Sequence, residues 1–137
     1  MNTAWLSQIN PQIIYLILSA VVALLIWIEG EMVKATLGKL PKSRFFHLIS
    51  VIDTLWFFVS ISVLYWIDLN PLAMTVPLAY AIYTTGGWIY GTVLLRRSGG
   101  MPDTPEDLVI PKPLVSFGQA FSVTFFALCI FVLTKTY

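Results

Sequence analysis

The sequence predicts an all-α, polytopic membrane protein built as a bundle of four transmembrane helices, and three observations carry that expectation. Of its 137 residues 58% are apolar and only 11% charged, with a mean hydropathy of +0.82, whereas soluble domains carry about 25% charged residues. The excess is gathered into four apolar runs, each near the roughly 20 residues a helix needs to cross the hydrocarbon core. Charges, prolines and glycines collect between the runs, leaving chain for one membrane domain over residues 1–137 and little else.

Span one is expected over about residues 11–29, with helix continuing to Leu37. Pro11 suits a first helical turn, and Gly38 and Pro41 supply a stop. Its inner end is amphipathic, with Glu29, Glu31 and Lys34. Met1 to Asn10 contains no Lys or Arg, so the run reads as a permanent span and not as a secretory signal. Span two, 44–66, opens at Arg44 and closes on Tyr65 and Trp66, an aromatic pair suited to a membrane interface. Asp68, Asn70 and Pro71 make a tight outer turn. Span three, 71–95, ends at Arg96, Arg97 and the Ser98-Gly99-Gly100 turn. In the longest connection, Thr104-Pro105-Glu106-Asp107 has the pattern of a helix N-cap, and Pro111 and Pro113 limit any helix there to about one turn. Span four follows over 114–133.

Orientation follows from the basic residues, because cytoplasmic loops are enriched in Lys and Arg. Seven of the eight, Lys34, Lys39, Lys42, Arg44, Arg96, Arg97 and Lys112, lie in or beside the first and third connections. Loops 30–43 and 96–113 are therefore expected in the cytoplasm and both termini outside, with a bacterial inner membrane the simplest setting. A parallel two-helix repeat is suggested by Asn10-Pro11 against Asn70-Pro71 and by Trp27-Ile28-x-Gly30 against Trp88-Ile89-x-Gly91. Spans two and four add Phe45-x-His47 against Phe117-x-Gln119. Both halves run the same way, so the implied pseudo-twofold lies along the membrane normal.

Asp53 is the most informative single residue. At about 1.5 Å per residue it lies roughly 10 Å inside span two, where an Asp costs about 2.5–3.5 kcal/mol on insertion scales and should face the bundle, another subunit or water. On a helical projection His47, Ser50, Asp53, Thr54 and Ser60 share about 140° of arc. This stripe suits a proton or cation relay with Asp53 exchanging and His47 near the mouth; it equally suits a packing device in which a hydrogen-bonded Asp53 holds helices in register. Glu29 and Glu31 are expected to be interfacial charges neutralised by Lys34, with Glu29 as a coupling-ion site the sharper alternative.

On span three Ala73, Pro77, Tyr80, Thr84, Gly87 and Gly91 recur at spacings of four and three, and Gly118, Ser122, Phe125 and Cys129 form a similar stripe on span four. Small residues at such spacing make helix-packing interfaces, either within the chain or between subunits. The run Thr84-Thr85-Gly86-Gly87 could alternatively loosen the helix and offer carbonyls to an ion.

Several functions are excluded or disfavoured. A net charge of +1 without a clustered basic surface gives no footprint for nucleic acid. One cysteine, Cys129, allows neither an intrachain disulfide nor a cysteine metal site, and one histidine cannot supply paired haem ligands. No phosphate-binding glycine loop, HExxH, GxSxG or CxxC occurs. No cofactor or metal is expected, and catalytic activity of its own is disfavoured; a lipid-acting enzyme would need His47 and Asp53 in one pocket. The four-span size is similar to that of small multidrug exporters, but their essential glutamate lies within the first span whereas Glu29 lies at its inner end, so membership is not inferred. The leading expectation is an accessory or structural subunit of a larger membrane complex, in contact with lipid and with other membrane subunits or copies of itself. The alternative is a homo-oligomeric proton- or cation-coupled transporter or channel using Asp53.

Overall fold

A computed structural model describes residues 10–39, 43–97, 99–100 and 109–136. The cap at Thr104 to Asp107, the stop at Pro41, and Lys42 lie outside the described residues. Four helices follow in chain order: α1 (Pro11–Ala35), α2 (Arg44–Trp66), α3 (Pro71–Arg97) and α4 (Lys112–Thr136). No strand occurs among the described residues; an isolated bridge pairs Lys39 with Val109.

Local chemistry sets the helix ends. Asn10 caps α1 by accepting from the Gln12 amide at 2.9 Å, with Pro11 at the first position where a missing N–H costs nothing. Asn70 does the same for α3, accepting from the Ala73 amide at 2.8 Å, so the two Asn-Pro pairs are equivalent helix starts. Ser43 caps α2 through the Phe45 amide. α1 ends at Ala35, two residues before the expected Leu37. There the amides of Leu37 and Gly38 turn back to the carbonyls of Lys34 and Val33, at 3.1 and 2.9 Å, a Schellman closure. It puts Leu37 at φ 57, a left-handed conformation usually taken by glycine.

α1, α2 and α4 are long and apolar enough to cross a membrane. α3 is the longest, at 27 residues, but falls outside that group because Pro77, Thr84, Thr85, Gly86 and Gly87 dilute its apolar content. The helices close a ring in sequence order. Each packs on its chain neighbours and α4 returns to α1, the most extensive pairing; α1 and α3 touch across the diagonal, whereas α2 and α4 do not. The four-residue connection between α2 and α3 forces these helices antiparallel. At the opposite end the other two connections meet, the Ile110 amide donating to the Gly38 carbonyl at 2.7 Å. Lys39, Arg44, Arg96, Arg97 and Lys112 are exposed around this basic end.

Close packing is concentrated at the far end and middle of the bundle, where Leu16, Ala73, Val76, Tyr80, Cys129 and Val132 are fully buried. Outside, the surface is apolar: Ile17, Leu24, Leu48, Leu55, Phe58, Ile82 and Ile89 are exposed. The outward hydroxyls of Ser62, Thr75, Thr92, Thr124 and Thr134 each bond back to a carbonyl of their own helix. Satisfying hydroxyls within the helix is what a surface facing hydrocarbon requires, so the apolar faces and their hydroxyls together indicate a lipid environment.

Candidate functional site

Toward the basic end the ring does not close completely. A cavity of about 280 Å³ remains among all four helices. Its wall includes Glu29 and Gly30 of α1, Asp53 and Thr54 of α2, Tyr83, Thr84, Gly87 and Trp88 of α3, and Phe117, Gly118 and Gln119 of α4. Ile26, Val33, Ile110, Leu114 and Val115 supply the apolar remainder. No Lys, Arg or His lines it among the described residues.

The two carboxyls reach the cavity from different helices and are held differently. The single proton of the Tyr80 hydroxyl is shared between the Asp53 carboxyl and, at 2.8 Å, the Asp53 backbone carbonyl. One tyrosine on α3 thereby orients the acid of α2. Glu29 lines the same cavity as Asp53, yet its Oε2 is buried with no hydrogen-bond partner among the described residues. Two positions along a helix turn a side chain by about 200°, so Glu31 faces away. It is exposed, 3.6 Å from Lys34 Nζ, and accepts from Gln119 Nε2 at 3.0 Å. The interfacial-charge expectation therefore describes Glu31, whereas Glu29 is turned inward.

A second unpaired group shares this wall. Thr84 is only 8% exposed, and its Oγ1 has no hydrogen-bond partner among the described residues, unlike the outward hydroxyls that bond to their own helices. Among the described residues Glu29 Oε2 and Thr84 Oγ1 are the buried side-chain polar atoms left unpaired, and both residues line the cavity. Unpaired buried acceptors are costly, about 1–3 kcal/mol each, unless something occupies the space before them.

The polar stripe on α2 does not converge on one relay. Asp53 and Thr54 reach the cavity, but His47 is exposed near the helix start, and neither it nor Ser50 lines the wall. Thr54 donates to the Ser50 carbonyl at 3.0 Å. Ser60 faces α1 instead, bonded to the Tyr15 hydroxyl at 2.6 Å.

The glycines of the α3 and α4 stripes pack against large side chains of the other helix inside the chain. A Cβ on Gly87 would stand 3.7 Å from the Phe117 ring, one on Gly91 3.5 Å from Leu114, and one on Gly118 3.4 Å from the Tyr83 hydroxyl. Gly86, by contrast, has open space. Ser122 is buried and closes on the Gln119 carbonyl at 2.7 Å. The helix across Thr84-Thr85-Gly86-Gly87 is continuous.

Tyr83, Trp88 and Gln119 also line the site without having been singled out by sequence as site residues. Tyr83 is stacked on Phe121 with centroids 3.8 Å apart and on Phe117 at 5.6 Å, and Trp88 packs edge-on against Phe57 at 5.3 Å. Gln119 is pressed against Gly30, where a Cβ would come within 2.6 Å of its Cγ. The available signal was Asp53 itself: a carboxyl inside an apolar helix needs a donor on a neighbouring helix, and tyrosines near the middle of α3 are the natural source. Compared with protein-family models, with curated proteins and with solved structures, the chain matches none.

Proposed function

We propose that the chain is a multi-pass membrane protein, α3 spanning with the other three helices, that carries a cation through the cavity in exchange for protons held by Asp53 and Glu29. The observation that carries this reading is the convergence of two carboxyls from different helices on one cavity with no basic side chain in its wall among the described residues. Acids within a membrane bundle are expensive and mark ion or proton paths by default. Exchange follows from charge balance: a proton leaving a carboxyl creates the negative charge that an entering cation neutralises, and the cation leaves when the proton returns.

The test is proton flux driven by a cation gradient in vesicles containing the purified full chain. Asp53→Asn and Glu29→Gln should each remove the cation-dependent component while elution and helical content stay unchanged. Undiminished flux in both variants would reject the reading.

A second reading, an accessory subunit of a larger complex, is supported by α2. Four of its residues, Phe46, Ile49, Ser60 and Val63, are buried, so most of its apolar surface is free for lipid or for another membrane protein. Native mass spectrometry of gently extracted protein separates the two. Stoichiometric recovery with a different chain favours the subunit, and a lone chain or homo-oligomer favours the carrier.

A further inference from the structure

We propose that the cation taken by this cavity is a protonated organic amine, its ammonium donating to Glu29 Oε2 and Thr84 Oγ1 and its apolar body lying among Tyr83, Trp88 and Phe117. The inference rests on the carrier reading and narrows its substrate.

Three features of the cavity set the chemistry. Its size, about 280 Å³, is close to the lower end of the roughly 300–1,000 Å³ of small-molecule sites and far more than a bare ion fills. Its wall is mostly carbon, and rings from two helices line it. Cations are attracted to the faces of such rings, most strongly to tryptophan, and more so when water is excluded. These rings are held before any ligand arrives, Tyr83 by stacking on Phe121 and Phe117, and Trp88 by Phe57.

The unpaired atoms then choose among organic cations. Glu29 Oε2 and Thr84 Oγ1 are both buried and without hydrogen-bond partners among the described residues, each able to accept from an N–H, and Thr84 is more than nine-tenths buried. A quaternary ammonium carries charge but no N–H, and would leave both atoms unpaired. A primary ammonium has three donors, enough for both atoms and one more for Asp53 in the same wall. A divalent metal ion is a poorer match, since it seeks six or more oxygen ligands and no cluster of three or more metal-ligating side chains occurs among the described residues.

Benzylammonium and benzyltrimethylammonium differ in N–H donors while sharing charge and ring, so they make the test pair, titrated calorimetrically into the full chain in nanodiscs. Benzylammonium should bind saturably and about tenfold more tightly than its trimethyl analogue, the preference expected of charge-assisted hydrogen bonds. Thr84→Val should reduce that preference. Trp88→Ala should weaken both ligands about tenfold, with Trp88→Phe restoring most of the affinity and showing that the ring, not a folding defect, is responsible. Equal or tighter binding of the trimethyl compound would overturn the proposal. So would absence of benzylammonium binding: with carboxyl-dependent proton flux intact, the substrate class alone falls, and with that flux absent the carrier reading falls too.

Discussion

The two ends of the bundle are built to different standards. At the far end the polar groups are paired across helices: Tyr15 to Ser60 at 2.6 Å, and Trp56 Nε1 donating to Ser19 Oγ at 3.0 Å, with the Tyr15 and Trp56 rings stacked 5.5 Å apart. Leu16, Val76 and Val132 fill the space between them. At the basic end the helices stand around a cavity, and two buried polar atoms lack partners. Between these regions Tyr80 ties Asp53 to α3. The contrast teaches that close packing and paired polar groups are concentrated at the far end, while the basic end keeps a cavity whose wall holds unpaired polar atoms.

Mutations can break or sharpen that contrast. The largest loss of stability is expected from Leu16→Ala, which opens a void in the closed end. Because lipid tails solvate leucine as well as a protein interior does, the lost term is mainly dispersion, and about 2 kcal/mol is expected, the lower part of the range for such truncations. Thermal unfolding in detergent would register it.

Gly30→Ala should follow, at about 1–2 kcal/mol, since its new methyl would overlap Gln119 at 2.6 Å and push apart the most extensive helix pair. A similar thermal shift on replacing the open Gly86 by alanine would contradict this account. Tyr15→Phe and Thr84→Val make the sharpest comparison, as each deletes one hydroxyl group or replaces it by a methyl. The first strands the Ser60 hydroxyl and should cost about 1 kcal/mol; the second removes an unpaired buried oxygen and should leave unliganded stability unchanged or slightly raised. Equal destabilisation by both would show that the two ends do not differ as described. The smallest effect belongs to Gly86→Ala, a gain of about 0.5 kcal/mol or less from the stiffer chain at a helical position with open space.

Much of the helix plan was legible because its signals are local. An Asn-Pro pair caps a helix by contacts within three residues, as Asn10 and Asn70 do. Asp53 stood out because a carboxyl in an apolar run has few inexpensive explanations. Thr84 did not, because a threonine in an apolar helix ordinarily bonds to its own backbone, and that it fails to do so depends on its neighbours. Glu29 looked like Glu31 because both sit near a helix end beside Lys34, and which of them turns inward depends on how α1 is rotated against its neighbours. The glycine pattern of α3 predicted a close contact without naming the partner; Leu114 and Phe117 of the same chain fill that role.

Composition and short-range chemistry were thus enough to determine an all-α bundle of four helices with apolar faces, since hydrogen bonding within a helix and the transfer of apolar side chains out of water depend on each segment by itself. Tertiary structure alone decided that Glu29 turns inward to the cavity that Asp53 lines, that Tyr80 rather than His47 holds that acid, and that Gly87, Gly91 and Gly118 face the contact between α3 and α4. Those outcomes depend on the rotation of one helix against another, which is set by the summed packing of many side chains and leaves no mark in any single stretch of sequence.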